Sequence, residues 1–173
     1  MTVGSTASLT LIDSSVWIEA LRPSGSRAAR RLTYEAVDTG VAITNGLIRL
    51  ELLAGARDQG MWDRLSDLLD AVVTVPTSAE TWNLAARLGF ALRRGGAAVP
   101  NTDLVIAASA LEHEAALIHL DRHFEVIAGV STLEQRFADV GAYSARRPQN
   151  STSLRAMSGG SKSPPPIGTP VPG

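Results

Sequence analysis

The sequence predicts an α/β fold: a mostly parallel sheet with helices on both faces. Three observations carry this. Short apolar runs alternate with longer stretches of helical spacing, no two-residue hairpin signal joins any pair of runs, and two of the runs end directly in an aspartate. Parallel strands need crossover helices, and sites in such sheets form at the carboxyl ends of the strands.

The first run, Leu9 to Ile12, enters Asp13-Ser14-Ser15 and then a helix-like stretch, Val16 to Leu21. Ser24 to Thr39 has helical spacing, with Gly40 as its stop. Val41 to Ile43 reads as a buried strand, and Thr44 or Asn45 caps a helix reaching Gly55. Asp58 to Ala71 spaces Trp62, Leu65, Leu68 and Leu69 as the apolar stripe of a helix. Val72 to Val75 reads as a strand closed by Pro76. Thr77 and Glu80 fit a capping box for a helix carrying Trp82, Ala85, Leu88, Ala91 and Leu92 and stopped by Gly95-Gly96. Asp103 to Glu114 is a helix with an apolar body, and Ala116 to Leu120 a strand ending in Asp121. Phe124 to Ile127 is expected as a last short strand and Thr132 to Val140 as a weak helix.

The 173 residues are 45% hydrophobic and 19% charged, ordinary for a soluble globular protein with one core. Three segments are expected: an extension over 1–8, a domain over 9–142 and a disordered tail over 143–173, where six of the nine prolines fall. The net charge of −1 divides into +4 in the tail and −5 before it. With no cysteine, disulfides, thiolate metal sites and cysteine nucleophiles are excluded. The only lysine, Lys162, lies in the tail, which argues against a P-loop and against phosphotransfer sites that pair an aspartate with a lysine. No signal peptide or membrane-length run is read, and a cytoplasmic location is expected.

Four acids stand out. Asp13 and Asp121 each follow a strand, where either could equally be a turn or capping residue. Glu51 falls on the apolar side of its helix, about 200° from Arg49 on the wheel. There it needs a cation, donors or a buried salt bridge, because an ionised carboxylate in apolar surroundings costs several kcal/mol. Asp103 sits in the first turn of the most apolar helix, where the helix dipole also favours an acid. Carboxylates sharing one cleft repel unless a cation joins them, and an all-oxygen set favours Mg²⁺ or Mn²⁺. Such a cation activates a water and neutralises charge on a phosphodiester. Ser15 either holds a water or phosphate oxygen there or caps the helix. His119, Asp121 and His123 would share one face of an unbroken strand, where they could form a ligand set for a transition metal, but Asp121 is expected to end the strand and turn His123 away, and His113 is expected on a helix surface. Arg22, Arg27, Arg30 and Arg31, with Arg93 and Arg94, are candidate phosphate contacts, although a solvated helix face explains most such arginines.

The stretches Leu11 to Ile18, Glu51 to Gly55, Asp103 to Ala108 and His119 to Glu125, taken in order, resemble PIN-domain ribonucleases, above all the VapC toxins of bacterial toxin–antitoxin pairs. The resemblance runs from about residue 9 to 140. It implies a three-layer α/β/α sandwich and a Mg²⁺ site made by Asp13, Glu51, Asp103 and Asp121. It also implies endonucleolytic cleavage of RNA, a homodimer and inhibition by a VapB-like antitoxin that covers the cleft. Many relatives carry threonine or serine where His119 stands and a further aspartate where His123 stands. A catalytically weak or inactive PIN-like module acting through protein partners is the alternative, and a phosphatase of the same broad fold the third possibility.

Overall fold

Leu11, Ile12 and Leu117 have no exposed surface. Strands sealed on both faces are the mark of a parallel sheet between two helical layers. The computed structural model describes residues 8–138. In chain order the elements are β1 (Thr10–Ile12), α1 (Ser14–Leu21), α2 (Arg27–Asp38), β2 (Ala42–Asn45), α3 (Gly46–Ala54), α4 (Gln59–Asp70), β3 (Val73–Val75), α5 (Ala79–Arg94), α6 (Asn101–Glu112), β4 (Ala116–His119), α7 (His123–Ala128) and β5 (Gln135–Phe137).

The five strands are all parallel in the order β3-β2-β1-β4-β5. From β1 the chain builds outward through β2 to β3, then returns to the other side of β1 for β4 and β5. The order therefore reverses beside β1, where open α/β sheets form their crevice. Leu11 pairs with Ile43 on one side and Leu117 on the other, and Ile12 pairs with Ile118. This register brings the exits of β1 and β4 side by side.

Five of the seven helix starts among the described residues have a side-chain cap. Asp13, Ser26, Asn45, Asp58 and Ser78 accept from backbone N–H groups of the first turns they precede. Of the two residues offered for α3, Asn45 is the cap, and its side chain accepts from Ile48 N at 2.9 Å. The capping box of α5 is Ser78 with Thr81, one residue later than the Thr77–Glu80 pair that the sequence suggests. Tertiary structure explains the shift. Ser78 Oγ donates to Glu112 at 2.6 Å and Thr81 also donates to Glu112, so α6 fixes the start of α5. Those two hydrogen bonds hold the Glu112 carboxyl below its usual range, while Glu80 pairs with Arg87.

Two elements near the carboxyl end exchange type. Phe124 to Ile127, expected as a strand, lies in α7, and part of the stretch expected as a weak helix is β5. The apolar residues of α7 that are buried, Phe124 and Ile127, are three apart and therefore share a helix face. β5 is fixed by pairing with β4, Leu117 against Gln135 and His119 against Phe137. Trp62 and Trp82, placed on apolar stripes by spacing, are 42% and 57% exposed. The expected extension and tail lie almost wholly outside the described residues.

Gly25 sets the turn between α1 and α2. A Cβ there would stand 1.8 Å from the Glu19 carbonyl oxygen. Gly25→Ala is therefore expected to move backbone and destabilise the fold by about 1–3 kcal/mol, seen as a lower urea midpoint. An unchanged midpoint would contradict this tight approach.

Candidate metal centre

The site grows from the two strand exits beside the reversal. Asp13 follows β1, its N–H donates to Ile118 O at 2.9 Å, and only 5% of the residue is exposed. Its Oδ2 accepts from Ser15 N at 3.1 Å and from Ser15 Oγ. The Ser15 hydroxyl in turn accepts from Leu120 N at 3.2 Å. Ser15 is thus a strut between Asp13 and the chain leaving β4, and the helix cap is Asp13 itself. Burial pushes the Asp13 carboxyl above the usual range, and the hydrogen bonds from Ser15 offset part of that rise.

Asp121 and Asp103 arrive from β4 and α6. Asp121 Oδ1 accepts from His123 N at 2.9 Å. His123 Nδ1 lies 2.9 Å from Asp103 Oδ2 and 3.1 Å from Asp121 Oδ1. One ligand atom from each of the three residues falls within 4.8 Å of the other two. His123 does not turn away as the sequence suggests. The chain enters α7 at once after Asp121, and that helical turn carries the imidazole onto both carboxylates. The sequence signal for it was the spacing Asp-x-His, interpreted with the wrong backbone. Burial raises the Asp103 carboxyl most, the His123 hydrogen bond works against it, and the charges of Asp121 and Asp13 push it further up.

Glu51 stands apart from that trio. It is half-buried on α3, and Ser14 Oγ donates to its Oε2 at 2.7 Å. No ion pair to Glu51 occurs among the described residues, so the donor it needs is a hydroxyl of the residue next to Asp13 and not an arginine. Glu51 also lines a cleft with Ile18, Leu21, Arg22, Leu52 and Arg57. Arg57 was not singled out from the sequence. Its position after α3 carries no pattern, and only the packing of α3 against α4 brings it to the cleft.

The remaining candidates separate clearly. His119 has no exposed surface, meets Gln135 Oε1 through Nε2 at 2.5 Å, and packs against the rings of Phe124 and Phe137. Burial holds it below the usual histidine range, as in a neutral core residue. Arg22 pairs with Glu19 at 2.8 Å, and Arg27 and Arg31 are exposed on α2. Arg30 spends its donors on the carbonyls of Ala20 and Arg22, tying α2 to the end of α1. Arg93 and Arg94 end α5, where Arg94 lies over the Phe90 ring.

A divalent cation fits this arrangement. Two buried or half-buried carboxyls are held above their usual range by desolvation, the Asp103 group also by its acidic neighbours, and a cation, by favouring the charged form, offsets both. Carboxylate oxygens dominate the donor set, as hard cations require.

The PIN domain family model matches residues 10–130. Ribonuclease VapC11 of Mycobacterium tuberculosis is 36% identical over 129 residues, covering 72% of this chain and 95% of that protein. Ribonuclease VapC18 of the same species is 30% identical over 124 residues, covering 69% of this chain and 88% of the relative. A chain in the crystal structure of VapBC2 from Rickettsia felis, bound to a DNA fragment from its promoter, superposes with a TM-score of 0.64 at 16% identity, covering 75% of this chain and 98% of that one. At that identity the likeness speaks for the fold alone.

The raised Asp103 carboxyl has a consequence for stability without metal. A group whose folded pKa is raised contributes stability that is present below its ordinary pKa and lost as pH climbs through the raised one. In EDTA, Asp103→Asn should therefore gain thermal stability over the parent as pH rises from about 4 to 7. A variant-minus-parent difference in Tm that stays flat over that range is the contrary result.

Proposed function

The chain belongs to the PIN-domain family, alongside the VapC ribonucleases, and on that premise we propose that it is a toxin-type, metal-dependent endoribonuclease. The observation that carries the proposal is the meeting of Asp103, Asp121 and His123 at the carboxyl edge of β4, with Asp13 tied to that strand's exit through Ser15 and Glu51 joined to the residue after Asp13 through Ser14. Asp13, Glu51, Asp103 and Asp121 are the residues proposed to hold Mg²⁺ or Mn²⁺. When bound, the cation supplies charge neutralisation at the phosphodiester and activation of a water as nucleophile.

The chain's own residues prepare that chemistry. Ser15 fixes the Asp13 carboxylate against the end of β4, so little reorganisation is needed when charge develops. Ser14 orients Glu51 in the same way. Arg22 and Arg57 border the cleft beside Glu51, where they can hold backbone phosphates without reading sequence. Arg27 and Arg31 are the further exposed candidates, whereas Arg30 belongs to the framework. No side chain serves as a covalent nucleophile.

Partners follow from the same reading. The substrate is RNA. A VapB-like antitoxin would hold the enzyme in check by laying a segment over the cleft, whose walls include Ile18, Leu21, Leu52 and Met61. Solved chains of the same fold include members of toxin–antitoxin complexes. A homodimer is proposed on the family likeness. The nuclease domain is proposed to span residues 9–142, in the cytoplasm. No described helix is long and apolar enough to cross a membrane.

The test is cleavage of total RNA with Mg²⁺ or Mn²⁺, and with EDTA, beside an Asp13 variant. Asparagine is the informative substitution. Asp13 caps α1, and alanine would also remove that cap at about 1 kcal/mol, while asparagine keeps it. Asp13→Asn should reduce metal-dependent cleavage ~100-fold or more with thermal stability held. Full activity in that variant would overturn the metal-site assignment, and no metal-dependent cleavage by folded, antitoxin-free protein would favour the inactive partner-binding module.

A further inference from the structure

We propose that His123 is a metal ligand through Nδ1, giving the site a mixed oxygen and nitrogen donor set that prefers a first-row transition-metal dication to Mg²⁺. The inference rests on the metal-site reading above and goes beyond it in naming a ligand outside the four acids and the class of ion that this ligand selects.

Geometry is the first support. Nδ1 lies 2.9 Å from Asp103 Oδ2 and 3.1 Å from Asp121 Oδ1. Adjacent ligands of an octahedral ion with bonds of about 2.1 Å stand about 3.0 Å apart. The same separations serve hydrogen bonds when a proton occupies the place of the ion. His123 is the first residue of α7, and its own N–H is bound to Asp121 Oδ1. The backbone therefore fixes ligand and carboxylate together.

Access is the second. The imidazole is 40% exposed and the Asp121 side chain 46%, so an ion and its remaining waters reach this side of the trio from solvent. The other histidines offer nothing comparable. His119 is sealed in the core against Gln135, Phe124 and Phe137, and His113 lies near Pro76 O at the far end of α6.

Ligand chemistry then sets the preference. Mg²⁺ takes oxygen donors and gains little from imidazole. For nitrogen-containing sites, affinity rises from Mn²⁺ through Co²⁺ to Ni²⁺. An imidazole in the set therefore widens the gap between Co²⁺ and Mg²⁺, and an all-oxygen replacement narrows it.

The experiment is calorimetric titration of the full chain with Co²⁺ and with Mg²⁺, in the parent, His123→Asp and His123→Ala, each checked for folding by its thermal transition. The Co²⁺-to-Mg²⁺ affinity ratio should fall ~10-fold or more in both variants, with His123→Asp keeping or improving its Mg²⁺ affinity. In the parent, adding Zn²⁺ should move the ¹⁵N resonance of His123 Nδ1 and leave those of His119 unmoved, which tests ligation without any variant. An unchanged ratio in folded His123→Asp, or an unmoved His123 resonance at saturation, overturns the proposal. RNA cleavage by the same samples is a separate readout. Binding with the His123-dependent preference but no cleavage removes the nuclease function and leaves the ligand in place. Cleavage with an unaltered preference does the reverse.

Discussion

A carboxylate at the end of a sealed strand must be met by donors or by a cation, and Asp13 is met by donors. Its N–H is committed to Ile118, its side chain to Ser15, and the Ser15 hydroxyl to Leu120. Those bonds lock the exits of β1 and β4 to each other. They also begin α1, because the same carboxylate caps it. The layout of the site follows from this lock. With β1 and β4 adjacent, Asp13 and Asp121 leave the same edge of the sheet, and α6, leading into β4, brings Asp103 to Asp121 there.

Burial then makes the site electrostatically expensive without a cation. Desolvation lifts both Asp13 and Asp103, and the neighbouring acids lift Asp103 further. Hydrogen bonds offset part of this. The fold tolerates the cost because most of the buried side chains are apolar, with Leu11, Ile12, Leu117 and Ile106 at most 1% exposed. A stable frame around an uncomfortable cluster of like charges is the expected form of a site that works when a cation is present.

The arginines show how position changes the meaning of a residue type. Four sit close in sequence near α1 and α2, yet Arg30 stitches backbone carbonyls, Arg22 is paired and borders the cleft, and Arg27 and Arg31 face solvent. Arg57, far from that group in the chain, shares the cleft with Arg22 and Glu51. Charge spacing along a chain cannot distinguish these roles, because each depends on what the guanidinium meets across a packing interface.

The sequence by itself determined the alternation of strands and helices, the parallel sheet and the placing of Asp13 and Asp121 at strand exits. Local propensity and hydrophobic period act within a few residues, and a parallel sheet brings successive strand exits to one edge. The unusual place of Glu51 was also legible, from one charge on an apolar helix face. Only tertiary structure decided that Phe124 to Ile127 coils and that Gln135 to Phe137 extends. Short apolar runs suit either form until a partner is present: here β4 for the strand and a core face for the helix. It also decided that Ser78 and not Thr77 caps α5, because Glu112 reaches across from another helix. The same holds for His123. Two residues after an aspartate, an imidazole shares its face in a continuing strand and turns away when the strand simply ends, whereas a helix that begins at once brings it back onto the carboxylates; that choice is made by the packing of Phe124 and Ile127, not by the local sequence.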